Sequence, residues 1–282
     1  MEFKNLTPDV KIAVLGLGTW SMGGGIRSRN TAYDKENIRA IKTAIELGMT
    51  HIDTAEMYGG GHAEELVGEA IKSFDREKLF ITTKVLPENL RYNDVISAAQ
   101  RSLQALKTDY IDLYLVHIPN PAIPIEQTMQ AFDFLKEKGL IRFIGVSNFT
   151  VVQLKEAQMC TRNKIVANQI EYSLLVRNEG NEYINNMESE VIPYCQENDT
   201  MVVAYRPLAR GRLSKPGIKV LDELARKYGK TQAQIAINWL ISKDKIITIP
   251  KTSNLEHLQE DIGALGWQLE PEDMHKLDKE TG

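Results

Sequence analysis

The stretch Leu79-Phe-Ile-Thr-Thr-Lys84 is a short apolar run that ends in a charged side chain. The chain repeats this design nearby, in Met49-Thr-His-Ile-Asp-Thr-Ala55 and in Ile111-Asp-Leu-Tyr-Leu-Val-His117. Their β-branched and aromatic residues are typical of strands. Longer amphipathic stretches separate the runs, and such alternation indicates parallel strands joined by helices. In a barrel of parallel strands the carboxyl ends share one rim, where active sites form.

The same alternation continues along the whole chain and predicts eight barrel strands, preceded by a short hairpin over Phe3–Ile12. The predicted strands are Val14–Thr19, Thr50–Thr54, Leu79–Lys84, Ile111–His117, Arg142–Ser147, Val166–Ile170, Met201–Tyr205 and Ile246–Pro250. Eight rounds in 282 residues favour an α/β fold of the (β/α)8 TIM barrel type, with one domain over 1–282.

Helical patterns fill the intervals between these strands, and two more follow the last strand, the second of them as an added C-terminal helix. They are Glu36–Leu47, Ala63–Ser73, Asp94–Leu106, Ile125–Lys138, Val151–Met159, Glu188–Glu197, Val220–Tyr228, Thr231–Ser242, Leu255–Leu265 and Glu270–Lys279. An open doubly wound sheet is the alternative. It is disfavoured because Gly16-Leu-Gly18 is followed by Thr-Trp-Ser rather than by the rest of a Gly-x-Gly-x-x-Gly turn.

The composition restricts the class of function. Hydrophobic residues make up 43% of the chain and the formal net charge is −4, so no basic surface for nucleic acid is expected. No apolar run is long enough for a membrane span, and the first residues show no signal segment. Cys160 and Cys195 are the only cysteines. A cytoplasmic protein is therefore expected, and we expect a monomer that acts on a small molecule.

The polar groups at the predicted rim suggest acid catalysis on a carbonyl. A free tyrosine such as Tyr58 has a pKa near 10 and is a poor acid at neutral pH. A nearby ammonium, here Lys84, is expected to lower that pKa. Asp53 can keep Lys84 charged, and His117 can orient the substrate carbonyl. A nicotinamide-dependent reduction is the first candidate.

Each of these residues also has an ordinary structural interpretation. Asp53 can cap a turn, Lys84 can be a solvated strand end, Tyr58 a loop aromatic and His117 a core histidine. Taken one at a time, these interpretations are at least as good as the catalytic one. The occurrence of all four residues at successive strand ends favours catalysis.

Several motifs in the chain resemble those of the aldo-keto reductases, over nearly its full length. The matching pieces are Leu15-Gly-Leu-Gly-Thr-Trp20, His51-Ile-Asp-Thr-Ala-Glu-Met-Tyr58, Thr83-Lys84, Asp109-Tyr-Ile-Asp-Leu-Tyr-Leu-Val-His117, Ile144-Gly-Val-Ser-Asn-Phe149, Asn168-Gln169 and Ile249-Pro-Lys-Thr252. The resemblance implies Tyr58 as the acid, Lys84 and Asp53 as its tuning groups, and His117 as the residue that orients the carbonyl.

The resemblance also implies NADPH (NADP+) bound across the barrel rim. Ser147, Asn148 and Gln169 match positions that bond the nicotinamide carboxamide, and Tyr205 matches the aromatic residue that stacks on the nicotinamide. Arg206 flanks the following loop. The remaining implied cofactor contacts are Gly18, Thr19, Trp20, Pro207, Leu208, Lys251, Thr252, His257, Glu260 and Asp261.

Two departures from the family pattern bear on the choice of cofactor. Lys251 and Thr252 match the group that holds the 2′-phosphate, but His257 stands where the family often has an arginine. A histidine lacks the guanidinium fork and gives a weaker, pH-dependent contact. Asp261, which like Glu260 matches an adenine-side position, replaces a commoner Asn. Use of NADH therefore stays open. Arg206 and Arg210 are candidates for the pyrophosphate, or are solvated arginines.

The substrate side is less specified. Trp20, Met22, Met57, Tyr58, Ile118 and Pro119 are expected to line a mostly apolar pocket, and a short C-terminus implies an open pocket with relaxed specificity. Two other enzyme classes are disfavoured. Glycoside hydrolysis by Asp53 and Glu56 would need two carboxylates facing across a sugar, and His51, His62 and His117 lack metal-ligand spacing. A redox sensor that binds cofactor with little turnover is the non-enzyme alternative.

Overall fold

The sequence folds into alternating strands and helices, and the computed structural model describes residues 1–281. The strands are β1 (Phe3–Thr7), β2 (Val10–Ala13), β3 (Leu17–Gly18), β4 (His51–Asp53), β5 (Phe80–Val85), β6 (Ile111–Val116), β7 (Ile141–Ser147), β8 (Ile165–Glu171), β9 (Met201–Tyr205) and β10 (Ile246–Thr248). The helices are α1 (Asp34–Glu46), α2 (His62–Ile71), α3 (Tyr92–Leu106), α4 (Ile125–Glu137), α5 (Val151–Met159), α6 (Ile192–Glu197), α7 (Lys219–Tyr228), α8 (Gln232–Ser242), α9 (Leu255–Ile262) and α10 (Pro271–Glu280).

Strands β3 to β10 form one parallel sheet in which every strand lies beside its neighbour in sequence. The sheet closes through a parallel bridge between Leu15 and Thr248. The Gly16 amide donates to the Thr248 carbonyl at 2.9 Å, and the Gly18 amide donates to the Pro250 carbonyl at 2.9 Å. The predicted (β/α)8 barrel is therefore confirmed.

The closing seam depends on a glycine. A Cβ atom placed on Gly18 would lie 2.8 Å from the carbonyl oxygen of Ile249, closer than such atoms approach in proteins. Only a residue without a side chain lets the first barrel strand approach the last one this closely. This contact leaves Gly18 at the rim, beside the pocket described below.

The N-terminal hairpin covers the opposite end of the barrel. Strands β1 and β2 pair antiparallel, as predicted, and bury Leu6 and Ile12. The Lys4 ammonium donates to the carbonyls of Ile241 and Ile246, each at 2.7 Å. Because Ile246 begins β10, the hairpin lies at the amino ends of the strands and leaves the carboxyl rim open.

Every residue of β5, β6 and β8 is buried, because helices cover the outer faces of these strands while side chains fill the barrel. The apolar positions of the surrounding helices pack on the sheet in one continuous core. In the part of the chain that the structure describes, no helix has both the length and the apolar character needed to cross a bilayer.

Two element boundaries differ clearly from the sequence expectations. The first barrel strand has regular pairing only over Leu17–Gly18, because its remaining contacts are made to the last strand across the closing seam. The helix expected over Glu188–Glu197 is present, but its first part, Met187–Val191, is a π-helix that leads directly into α6. The change from π-helix to α-helix occurs directly before Pro193, which is tolerated in the first turn of α6.

A buried carboxyl group joins α2 to the sheet. The hydroxyl of Thr83 on β5 donates to Glu64 of α2 at 2.6 Å, and Glu64 is 2% exposed. Burial raises the pKa of Glu64 from its ordinary value of 4.5 to about 7. The folded protein therefore holds a proton that the unfolded chain releases between pH 4.5 and 7, so stability falls as the pH rises through that window.

We expect Glu64→Gln to flatten this dependence and to stabilise the protein at pH 8, by up to about 3 kcal/mol relative to wild type. Denaturant unfolding at pH 5 and pH 8 measures the difference. Burial and the neighbouring Glu260 also raise the pKa of Asp261 to about 7, so a residual slope remains in the variant. The exposed Glu46→Gln is the control and should leave the profile unchanged. Identical profiles for all three proteins would contradict the assignment.

Candidate active site

Three adjacent strands bring the predicted catalytic side chains to one rim. Asp53 ends β4, Lys84 lies next to the end of β5, and His117 directly follows β6. Tyr58 lies in the loop after β4, where its amide donates to the Ala55 carbonyl at 3.0 Å. This loop turns at Gly59, which has a φ of 61° and packs so closely on the Gly23 carbonyl that a Cβ there would clash.

An ion pair lies at the base of the site. The Lys84 ammonium donates to Asp53 Oδ1 at 2.5 Å and to the Thr54 carbonyl at 2.8 Å, and the two charged side chains are 0% and 2% exposed. Gln169 Nε2 donates to Asp53 Oδ2 at 2.7 Å. Burial lowers the pKa of Lys84 and raises the pKa of Asp53, while the attraction within the pair opposes both shifts.

Tyr58 lies between the ion pair and the open rim. Its hydroxyl is 3.4 Å from the Lys84 ammonium. Its ring packs edge-on against Trp20 and His117, with centroid separations of 5.1 and 5.7 Å. Burial, reinforced by the charge of Asp53, raises the pKa of Tyr58 well above its ordinary value. The expected lowering by Lys84 is wrong for this structure, because Asp53 offsets the lysine charge and desolvation dominates.

His117 presents a neutral imidazole. Burial, and then the charge of Lys84, lowers the pKa of His117 well below its ordinary value. Its Nδ1 atom is buried and has no hydrogen-bond partner among residues 1–281. The Asn148 side-chain amide donates to the His117 carbonyl at 3.2 Å and ties this strand end to the next. A neutral ring can donate a hydrogen bond to a carbonyl oxygen without carrying a charge.

An amide-rich cluster lies at the ends of β7 and β8. The Ser147 hydroxyl donates to the Gln169 carbonyl at 2.9 Å, and Asn148 donates to Ser147 Oγ at 3.0 Å. Asn148 has a positive φ of 61°, which turns the chain at the strand end. The Tyr205 hydroxyl donates to Asn148 Oδ1 at 3.0 Å. These residues form one connected network, so their orientations depend on one another.

A cavity of about 280 Å³ lies above this network. The predicted site residues that line it are Gly18, Trp20, Asp53, Tyr58, His117, Ser147, Asn148, Gln169, Tyr205, Arg206 and Lys251. Lys84 lies beneath the cavity floor. Thr19 is fully buried behind it, with its hydroxyl donating to the Asp53 carbonyl at 3.0 Å. Asp53, Tyr58, Lys84 and His117 form the predicted catalytic quartet. The structure therefore brings together this quartet and the predicted nicotinamide contacts.

The other predicted cofactor contacts continue away from this cavity. Pro207 and Leu208 follow β9, and Thr252 forms a turn in which its hydroxyl oxygen accepts from the Asn254 amide at 3.0 Å. On α9, His257 is exposed and Glu260 is half-buried, while Asp261 is buried on the same face as Leu258.

Three cations near this surface differ in their pairing. Arg206 donates to Glu171 at 2.8 Å, and Arg210 donates to Glu182 at 3.3 Å. Lys251 forms no ion pair with any residue of the described chain, and burial lowers its pKa. Lys251 is exposed, and an ammonium that pairs with no carboxylate among residues 1–281 is available to a phosphate group.

The residues of the two alternative enzyme classes make other contacts. Glu56 binds Arg101 at 2.6 Å and faces a separate outer groove, so it does not stand opposite Asp53. His51 contacts Thr82 at 3.0 Å, and His62 contacts Asp34 and Glu65. Within residues 1–281, no group of three or more potential ligands is placed to hold a metal ion.

The substrate side differs in part from the sequence expectation. Trp20, Met57, Tyr58 and Ile118 line the cavity, but Met22 is a core residue and Pro119 lines a neighbouring groove. The cavity also has four members that the sequence reasoning missed, namely Ile26, Glu182, Tyr183 and Ile249. A signal was available for two of them. The long segment between β8 and α6 is rich in Asn, Gly and Glu, and loops of that length are often functional.

The model of the aldo/keto reductase family matches residues 14–280 of this chain. Methylglyoxal reductase YeaE of Escherichia coli K12 is 38% identical over 275 residues, which cover 96% of this chain and 92% of that protein. Methylglyoxal reductase DkgB of Escherichia coli O157:H7 is 34% identical over 267 residues, covering 93% and 90%.

Solved structures give the same result. The thermostable aldo-keto reductase Tm1743, solved with the inhibitor epalrestat, has a TM-score of 0.94 and 43% identity, with full coverage of both chains. An aldo/keto reductase from Klebsiella pneumoniae, solved with NADP and acetate, has a TM-score of 0.84 and 32% identity, covering 96% of this chain and 92% of that one.

Proposed function

The chain belongs to the aldo/keto reductase family, and we propose that it reduces small aldehydes, and some ketones, to alcohols with Tyr58 as the general acid. It is an NAD(P)H-dependent oxidoreductase. One observation carries the assignment of the acid. Tyr58 lines the cavity, and its hydroxyl lies 3.4 Å from an ammonium that is itself fixed by a buried carboxylate.

Tyr58 donates its proton to the carbonyl oxygen as that oxygen gains negative charge. The raised pKa of the buried phenol keeps the proton in place until then. Once the proton has left, the phenolate lies next to the Lys84 ammonium, and this attraction stabilises the product of the transfer. Asp53 holds Lys84 in position and is itself held by Gln169, so little reorganisation accompanies the step.

His117 orients the substrate. Its neutral ring lies beside Tyr58 at the cavity wall and donates a hydrogen bond to the same carbonyl oxygen. Two donors that converge on one oxygen fix the carbonyl and polarise it. The carbonyl carbon is then left as the atom open to attack from the amide-rich side of the cavity.

The residues present fit a nicotinamide cofactor. Ser147, Asn148 and Gln169 offer the donors and acceptors that a carboxamide needs, and the Tyr205 ring lines the same wall. When bound, the cofactor supplies the hydride. Relatives solved with NADP and NADPH support NADPH as the cofactor. We assign the phosphate-binding role to Lys251 and Thr252, because Lys251 is a cation without a counter-ion among the residues that the structure describes.

The choice between NADPH and NADH gives a testable prediction at His257. We expect His257→Arg to tighten NADPH binding about tenfold and to leave NADH binding unchanged, because a guanidinium adds about one charge-assisted contact to the 2′-phosphate. Fluorescence titration of each cofactor measures both dissociation constants without any turnover.

The exposed His275 on α10 provides a matched control, since His275→Arg adds the same charge on a different helix from the proposed contact. If His257→Arg and His275→Arg tighten NADPH binding equally, the effect is general electrostatics and the assignment of His257 is wrong.

We also propose the oligomeric state, the domain organisation and the location of the protein. The complete quartet comes from one chain, which supports a monomeric enzyme with one barrel domain over 1–282. Cys160 and Cys195 are both free thiols, which supports a cytoplasmic location. Two of its relatives are named methylglyoxal reductases, and small reactive aldehydes of that kind are the substrates to try first.

The test of the function is the loss of absorbance at 340 nm with a small aldehyde, run with NADPH and NADH side by side. Oxidation of either cofactor that depends on the aldehyde, with formation of the alcohol, is the expected result. Tight cofactor binding without turnover of any aldehyde would instead favour the cofactor-binding sensor.

A further inference from the structure

The loop that carries Tyr58 packs apart from the main core. The side chains of Ala55, Tyr58 and Ala63 form a small apolar cluster to which Met57 is added, and this cluster is separate from the continuous core of the barrel. Dense packing fixes the side chains inside a large core, whereas a small satellite cluster gives its members less support. Polar contacts therefore contribute more to the position of Tyr58.

Glu56 supplies such contacts from within the same loop. Its carboxylate accepts hydrogen bonds from the Leu86 amide at 3.1 Å, from Asn89 Nδ2 at 3.0 Å and from the Arg101 guanidinium at 2.6 Å. Its own amide donates to the Lys84 carbonyl at 3.2 Å. One residue thus joins the loop after β4 to the end of β5, to the turn that follows β5 and to α3.

The two segments that Glu56 joins carry the acid and the ammonium. Tyr58 lies two positions after Glu56, and Lys84 lies two positions before Leu86. The hydrogen bond from the Lys84 ammonium to the Tyr58 hydroxyl is long, at 3.4 Å, so a small shift of either segment would separate the two groups. A misplacement of about 1 Å can lower the rate of a reaction between positioned groups on the order of a hundredfold.

Glu56 acts on Tyr58 from outside the cavity. Its side chain is 11% exposed and lines the outer groove, and it is not among the residues that line the cavity. After burial, the charges that act most on the pKa of Tyr58 are those of Asp53, which raises it, and Arg206, which lowers it. The contacts of Glu56 therefore bear on where the Tyr58 hydroxyl lies rather than on its charge environment.

We propose that Glu56 is a positioning residue that holds the Tyr58 hydroxyl within hydrogen-bond reach of the Lys84 ammonium. This role rests on the reductase function proposed above and adds to it a residue outside the cavity. A carboxylate accepts on both of its oxygens, so it holds all three donors at once. An amide of the same length has one acceptor oxygen, and its NH2 group would face a donor on the other side.

The test compares wild type with Glu56→Ala, Glu56→Gln and Glu69→Ala. Glu69 is a matched control, because it also lines the outer groove and forms an ion pair, with Lys72 at 2.8 Å, but it lies on α2. For Glu56→Ala we expect kcat for propanal to fall at least about tenfold, while the dissociation constant for NADPH stays within about twofold of wild type. Glu56→Gln keeps one acceptor and should lose less, and Glu69→Ala should retain the wild-type values.

A spectroscopic signal distinguishes positioning from a general loss of structure. The carbon-13 chemical shift of the tyrosine ring carbon that bears the hydroxyl depends on the hydrogen bonds of that hydroxyl. In protein labelled at this carbon, the Tyr58 signal is identified by its absence from Tyr58→Phe. We expect that signal to move in Glu56→Ala and to stay in place in Glu69→Ala. The signal of the buried Tyr172 should stay in place in both, which shows that the variants are folded.

The same signal separates failure of the positioning role from failure of the reductase function, because it requires no turnover. If wild type reduces no aldehyde and the Tyr58 signal still moves in Glu56→Ala, the reductase proposal fails while Glu56 is shown to position Tyr58. An unchanged Tyr58 signal in Glu56→Ala, or an equal loss of kcat in Glu56→Ala and Glu69→Ala, would overturn the positioning role. If Glu56→Ala does not fold, Glu56→Gln decides the question. Its Tyr58 signal should move in part, and an unchanged signal with wild-type kcat would overturn the proposal.

Discussion

Tyr58→Phe should lower kcat by about a thousandfold, while the dissociation constant for NADPH stays within about twofold of wild type. The substitution removes only the hydroxyl that donates the proton. The ring remains and keeps its edge-on contacts with Trp20 and His117. The loss should appear in kcat and in kcat/KM alike, because the missing interaction is made in the transition state.

Steady-state kinetics with a small aldehyde and fluorescence titration of NADPH measure the two quantities. Tyr33→Phe removes a hydroxyl from an exposed tyrosine outside the cavity and should retain wild-type kinetics. If Tyr58→Phe keeps a tenth or more of the wild-type kcat, another group or water supplies the proton and Tyr58 is not the acid.

The second large effect is expected at the buried ion pair. Lys84→Met leaves the Asp53 carboxylate buried without its counter-ion, and the free energy of unfolding should fall by about 3–5 kcal/mol at pH 8. The deficit should shrink as the pH falls. Burial already raises the pKa of Asp53, and loss of the ammonium removes the main opposing influence, so the carboxyl becomes protonated and neutral.

The double variant Lys84→Met/Asp53→Asn isolates the cause. It removes both charges but keeps an amide that can bond Gln169, so it should recover much of the stability lost in the single variant. Turnover should remain low in both, since neither contains the ammonium that stabilises the Tyr58 phenolate. Denaturant unfolding and kcat measured on the same preparations test this separation. Equal instability of the single and double variants would contradict it.

Most of the fold follows from local patterns. Runs such as Leu79–Lys84 and Ile111–His117 predict strands because β-branched residues and a polar end occur within six or seven positions. The barrel then follows from the alternation of strands and helices, since parallel strands need crossovers. The short pairing of Leu17–Gly18 could not be predicted, because it depends on contact with Ile249 and Pro250 at the far end of the chain.

The candidate site, like the fold, has one part that local sequence patterns predict and another part that depends on contacts between distant residues. The quartet was found because each member stands at or near a strand end. The bond from Gln169 to Asp53 joins β8 to β4, and no local pattern reveals such a pair. Tyr183 lies in a loop without periodicity, so only the length and composition of that loop indicate a functional role. The predicted direction of the pKa shift of Tyr58 is wrong, because the shift depends on burial and the degree of burial is a property of the assembled barrel.

The closure of the barrel has a consequence for the order in which the protein forms during synthesis. All four quartet side chains have been translated once His117 is made, but Leu15 must wait for Thr248 before the sheet can close. At about 5–20 residues per second, the ribosome holds an open, partly paired sheet for on the order of ten seconds. During that interval the edges of β3 and of the newest strand are free to pair with other chains. Slower translation late in the message would lengthen the time for which these strand edges are exposed. Chaperones that cover strand edges would keep them from pairing with other chains.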